Sequence, residues 1–148
     1  MKYPSPIELL GHAAVYLGTK EVAGTVHNPT ITKMLRYVGI RWGGDETPWC
    51  AAFVNWVLAR SGLEGTDSGM ARSFSKWGDS IPINQAVPGD IVVLWRKSRK
   101  SASGHVGFFQ SLEGRYIRLL GGNQGDRVGS KLYPLRRLLS VRRQTGNP

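Results

Sequence analysis

An α+β domain, with N-terminal helices packed on one face of an antiparallel sheet, is what this sequence predicts. Three observations carry the prediction. Apolar residues recur at helical spacing through the first half and turn β-rich and alternating from residue 91 onward. One predicted helix, ending at Arg60, is apolar nearly all round and needs cover on most sides. Turn signals cut the second half into short strands. The 148 residues, 41% hydrophobic and 20% charged, suit one domain over 1–148 with a core over about 6–143.

Each element has its own signal. Pro6 suits a first helical turn, and Leu9, Leu10, Ala13, Ala14 and Leu17 form a stripe that Gly18 ends, predicting a helix over 6–18. Asn28-Pro29 is a cap followed by a first-turn proline; Ile31, Met34, Leu35 and Val38 give a second helix closed by Gly39. Thr47 is the predicted cap of the third, which puts Pro48 at its first position and Cys50 at its third; Gly62 ends it. A short fourth helix fits residues 70–77. Val87-Pro88-Gly89-Asp90 is a turn, and residues 91–95, 106–110 and 115–120 read as strands, the last two joined by a hairpin centred on Glu113-Gly114. Residues 131–133 and 139–141 are further strand candidates, so the second half reads as a meander.

Composition narrows the function. A single cysteine excludes an intrachain disulfide. No apolar run approaches the roughly 20 residues that span a bilayer, so no integral membrane contact is expected. The first residues lack the apolar core of a signal peptide, which predicts synthesis in the cytoplasm and, for any action outside, release or delivery by other means. Residues 1–90 carry eight Lys/Arg and eight Asp/Glu, whereas residues 91–148 carry twelve and two, so the whole net charge of +10 lies in the second half. That excess suits an anionic partner such as a cell wall, an anionic lipid surface or nucleic acid.

Cys50 is the first candidate for chemistry. In a helix's first turn, unpaired N–H groups and the dipole favour a thiolate, so the position predicts a lowered pKa. A core cysteine on a buried helix is the alternative. Three histidines could activate it. His12 lies on the polar side of the first helix and His27 in a loop. His105 opens a strand directly after a Gly-containing loop, where a base is held firmly and still reaches a site. A base also needs an orienter for its ring. A turn at Glu113-Gly114 sets residue 122 opposite His105, beside Asn123, whose amide could accept from the ring; Gln124 is the rival. Trp49 and Trp42 either line a substrate groove or belong to the core.

Pro48-Trp49-Cys50-Ala51-Ala52-Phe53-Val54-Asn55, Pro88-Gly89-Asp90-Ile91-Val92-Val93, Gly104-His105-Val106-Gly107 and Gly122-Asn123-Gln124, in this order, resemble the NlpC/P60 and CHAP superfamily of papain-like peptidoglycan hydrolases. The likeness covers about residues 6–143 and points more narrowly to small CHAP-like proteins of phages and bacteria. It implies a papain-like fold, a thiol mechanism cleaving amide bonds in cell-wall peptides as amidase or endopeptidase, and Cys50, His105 and Asn123 as nucleophile, base and third residue. Many CHAP domains carry an acidic residue two positions before that Asn; here the position is Gly121, which leaves the third role to Asn123 or Gln124. No calcium-binding Asp cluster is visible, so no metal and no cofactor are expected. The setting implied is a phage lysis enzyme, a virion enzyme or a secreted toxin acting on the wall or periplasm, with peptidoglycan as substrate and an immunity or delivery protein as a further partner.

Two other readings keep Cys50 inert. One is a basic module binding nucleic acid or an anionic surface through Arg96-Lys97-Ser98-Arg99-Lys100, Arg136-Arg137 and Arg142-Arg143. No zinc-ligand spacing, phosphate loop or RNA-binding strand motif accompanies those clusters, so nucleic acid is not the expected partner. The other is a degenerate hydrolase fold with a structural role in a virion.

Overall fold

The computed structural model describes residues 3–21, 28–40 and 48–145. Three helices, α1 (Pro6–Ala14), α2 (Pro29–Tyr37) and α3 (Cys50–Arg60), precede six strands, β1 (Asp79–Ser80), β2 (Ile91–Trp95), β3 (Gly104–Glu113), β4 (Tyr116–Gly121), β5 (Gly129–Pro134) and β6 (Leu138–Arg143). The fold is α+β and papain-like, as the sequence predicts. Ser5 and Asn28 cap α1 and α2 through their side chains, with Pro6 and Pro29 just inside. α1 stops at Ala14, short of Gly18, because the N–H groups of Tyr16 and Leu17 turn to the tighter i−3 acceptors Ala13 and Ala14. The predicted fourth helix is a 3-10 helix, Ala71–Lys76.

The start of α3 corrects the sequence reading. Trp49, with φ −130° and ψ 18°, is the N-cap, and its carbonyl accepts the first helical bond, from Phe53 N–H at 2.9 Å. Pro48 therefore lies outside the helix and Cys50 is its first residue. Thr47, the predicted cap, lies outside the described residues. From Cys50 to Leu58, all but Trp56 are buried, and the one polar member, Asn55, donates to Ala51 and Ser68 carbonyls and accepts from Thr66 N–H.

The strands form one antiparallel sheet in the order β1-β6-β2-β3-β4-β5. Only β2 to β5 make the expected meander. β6 returns across the sheet to pair with β2 on one side and β1 on the other, so the long crossing is a correction to the simple meander. The hairpin also differs. Glu113 pairs with Tyr116, which centres the turn on Gly114-Arg115, and a bulge between Phe109 and Ser111 shifts the register again.

Both faces of the sheet are apolar, and that sets where the site forms. Val93, Val106 and Phe108 face the helices and join the main core with Phe53, Val57 and Leu35. The alternate residues, Val92, Leu94, Phe109, Ile117, Leu119, Tyr133 and Val141, form a second core, against which Ile81, Ile83, Ala86, Leu135 and Leu138 pack. Gly89 locks α1 to the sheet: its φ is +98°, and a Cβ there would lie 1.6 Å from the Pro6 carbonyl oxygen.

Candidate active site

Cys50 opens α3 where the helix meets β3. Its side chain is nearly enclosed, 5% exposed. Burial pushes the thiol's pKa up, while backbone N–H groups of Val106, Ala51 and Cys50 itself and the charge of Arg96 pull it down by less. The lowered pKa expected from the helix start is therefore corrected: desolvation outweighs the first-turn donors. The contact with Val106 places the sulfur against β3 one residue past His105.

His105 pairs across β2 with Leu94, so its side chain belongs to the second, enclosed core. It is 4% exposed. Its Nε2 lies 2.9 Å from Gln124 Oε1 and 3.1 Å from the Tyr133 hydroxyl, and its ring stacks on the Tyr133 ring with centroids 4.9 Å apart. Gln124 cannot turn its amide round, because its Nε2 already donates to the carbonyls of Leu119 at 3.0 Å and Gly129 at 2.7 Å. The oxygen therefore faces the imidazole and can only accept. That assigns the proton to Nε2 and leaves the Nδ1 lone pair free to take a proton. Burial lowers the His105 pKa to about 4; the bond to Gln124 opposes the shift, and the charges of Arg96 and Lys131 add to it. A raised thiol and a lowered imidazole both favour a neutral pair at rest. Among the described residues no hydrogen bond joins the two, as is common before a substrate tightens a site.

The third residue is where the sequence reading needs its main correction. Asn123 does not reach His105. It sits at φ +59° and makes no side-chain hydrogen bond to the described residues; its conformation turns the chain so that Gln124 points inward. Gly121 gives Gln124 the room it needs, because a Cβ at 121 would lie 2.7 Å from Gln124 Oε1. The Gln124 side chain thus fills the space beside residue 121, the position at which many CHAP domains carry their acidic group.

The remaining candidates divide by whether the described residues include them. Trp49 is fully buried and its Nε1 donates to Glu21 at 3.1 Å, so it is a core residue and lines no groove. His12 bonds Ser61 Oγ through Nδ1 at 2.6 Å on the exposed side of α1. Trp42 and His27 lie outside the described residues. Tyr133 was not flagged by the sequence; the only signal was its place in a short strand candidate, where alternation turns it inward between exposed Leu132 and half-buried Pro134. Among the described residues no three His, Cys, Asp or Glu side chains gather as a metal site, and no helix is long and apolar enough to cross a membrane.

Comparison with known proteins agrees with this architecture. The chain is similar in fold to a lipoprotein-like NLP/P60-family protein of Staphylococcus aureus, at 17% identity and a TM-score of 0.57 over 99% of this chain and 44% of that one. It also resembles the P60 domain of an antigen of M. avium paratuberculosis, at 12% identity and 0.55 over 95% and 93%. A third likeness is to RipD of Mycobacterium tuberculosis, described as a non-catalytic NlpC/p60 domain protein adapted to peptidoglycan binding, at 15% identity and 0.50 over 94% and 96%. The chain spans less than half the length of the Staphylococcus protein. No curated protein sequence matches it. The CHAP domain family matches residues 42–123, a stretch that holds Cys50, His105 and Asn123 and stops just before Gln124. With more than half of its length matched, and with the NlpC/P60 fold around it, the chain belongs to the CHAP domain family.

Proposed function

We propose that the protein is a peptidoglycan hydrolase that cleaves amide bonds in wall peptides through Cys50, His105 and Gln124. The observation that carries the reading is the contact of Gln124 Oε1 with His105 Nε2: with its own Nε2 donating to two carbonyls, Gln124 can only accept from the ring, which supports a proton on Nε2 and Nδ1 as the base. In this mechanism Nδ1 takes the thiol proton as the sulfur attacks the scissile carbonyl carbon. The Cys50 backbone N–H faces the developing oxyanion. The C–N bond breaks as Nδ1–H returns the proton to the leaving amine, which leaves a thioester. Water, deprotonated by the same nitrogen, then hydrolyses the thioester and restores the thiol. Because both groups start neutral, the proton moves with the attack, on a bound substrate, and the resting thiol stays unreactive toward chance electrophiles.

A lytic or toxin setting, with release or delivery to the wall and an immunity or delivery partner, is part of the same proposal and rests on family membership. The positive second half supports attraction to an anionic envelope. A second reading, wall binding without turnover, is favoured by one observation, the burial of the Cys50 thiol, which pushes its pKa up. Mass spectrometry of fragments released from purified peptidoglycan separates the two. Wild type is expected to release new peptides, and Cys50→Ala to lower their rate by at least about 10³-fold. Equal fragment release by both proteins would remove Cys50 as nucleophile. Retention on peptidoglycan with no fragments from either would establish the binding reading.

A further inference from the structure

Beside His105 lies a cavity of about 90 Å³. His105 lines it and Cys50 does not, so it opens onto the base side of the site. Its volume is small against the roughly 300–1,000 Å³ of a pocket that takes a whole ligand; it suits one functional group. Arg96, Lys131 and Arg137 line it together with His105, Asn123 and Tyr133.

The three cations differ from the chain's other well-placed arginines. Arg118 is paired with Glu113 and Arg143 with Asp90. Arg72 and Arg142 donate to backbone carbonyls. Arg96, Lys131 and Arg137 meet no carboxylate among the described residues. Arg137 Nε is, among the described residues, the one buried side-chain polar atom with no hydrogen-bond partner. Leaving such a donor unsatisfied is costly, and native folds seldom do so without a reason. Aromatic rings hold two of the cations: the Arg137 guanidinium lies 5.8 Å from the Trp95 ring centre and Lys131 Nζ lies 5.5 Å from that of Tyr133. Three positive groups that meet no carboxylate among the described residues, two of them set against aromatic rings, surround a cavity of functional-group size, the arrangement an anion would complete.

We propose that Arg96, Lys131 and Arg137 form a carboxylate-binding subsite that seats an acidic group of the substrate peptide beside His105. The choice of a wall peptide as its source rests on the proposed hydrolase function; the anion site itself does not. Filling it has a consequence for the base. Arg96 and Lys131 oppose a positive charge on His105, and a bound carboxylate offsets them, so the imidazolium needed in the reaction becomes easier to form once the correct substrate is in place. Asn123, which fails to orient His105, gains a role here as a neutral donor lining the same cavity.

The test uses the intact chain carrying Cys50→Ala, titrated calorimetrically with a stem peptide that has free carboxylates and with the same peptide fully amidated. The acidic peptide is expected to bind about tenfold tighter or more. Adding Arg137→Gln, or separately Lys131→Gln on the exposed side, is expected to shrink that preference to about threefold or less. Equal affinity for the two peptides overturns the subsite, and so does a preference that survives both substitutions. If the preference is present but wild type releases no wall fragments, the subsite stands and the hydrolase reading falls. If fragments are released with no preference, the reverse holds.

Discussion

Two of the buried polar clusters in this fold are built on opposite plans. Asp90, in the Pro-Gly-Asp turn before β2, accepts from Arg143 Nε at 2.7 Å, from a second guanidinium nitrogen at 2.8 Å and from Val87 N–H at 2.8 Å. Three donors thus engage both oxygens of its carboxylate. The cluster of His105, Gln124 and Tyr133 is equally buried but left open. Gln124 uses its oxygen and both amide hydrogens, yet His105 Nδ1 meets no partner among the described residues, and the ring lines the cation-lined cavity. Both clusters come from stretches that resemble family motifs. Saturation tells them apart: a closed network holds the fold, whereas one unspent group on an otherwise fixed ring is available for chemistry.

The sharpest way to break this contrast is to cut the closed cluster. Asp90→Ala leaves Arg143 and the turn N–H without their acceptor. The cost is expected at about 3 kcal/mol, the low end for a buried pair because Arg143 keeps a quarter of its side chain in water. Urea unfolding measures it, and turnover per folded molecule is expected to stay at the wild-type level. A loss of turnover with unchanged stability would put Asp90 in the site and end the distinction.

Acid probes the open cluster next. His105 has a folded pKa of about 4 against roughly 6.5 in the unfolded chain. Below pH 6.5 the unfolded state binds a proton that the folded state refuses, so stability falls as pH falls and stops falling on this account below about 4. Between pH 7 and 5 the expected loss is about 2 kcal/mol. His105→Gln can still donate to Gln124 and lacks this step, so the difference between the two unfolding curves isolates the effect. A difference that does not change with pH would mean that the ring is not held neutral.

The two clusters were also unequally legible in the sequence. Cys50 and His105 carry local signals, a helix start and a strand start, and local signals survive without the tertiary fold. Asp90 sits in a turn that composition announces. The helices and most strands were legible for the same reason. The choice between Asn123 and Gln124 was not, because it depends on a bulge in β3 and on the left-handed turn at Asn123, each of which flips the side-chain direction by one residue. Tyr133 arrives from β5 by strand pairing at a distance, and the insertion of β6 between β1 and β2 leaves no mark in the period of either strand. The thiol's raised pKa was hidden as well: the helix start is local, but the burial that outweighs it is supplied by the whole fold.

Gln124 is the group that joins holding and chemistry, so its removal touches both stability and turnover. Gln124→Leu keeps the volume but strips donors from the Leu119 and Gly129 carbonyls and the acceptor from His105. About 1–3 kcal/mol of stability is expected to go, because the stranded carbonyls are buried or nearly so. Turnover is expected to fall by about 10²-fold or more, since Tyr133 can then donate to Nε2 and hold the ring in the wrong tautomer. Gly121→Ala reaches the same bond from the other side: its Cβ would press within 2.7 Å of Gln124 Oε1, displacing the acceptor while leaving every polar group present. A fall in turnover in both variants, larger in Gln124→Leu, with the binding of an acidic stem peptide to the Cys50→Ala background unchanged, assigns Gln124 to orientation of the base. Wild-type turnover in Gln124→Leu would return it to the class of Asp90, a closed and purely structural contact.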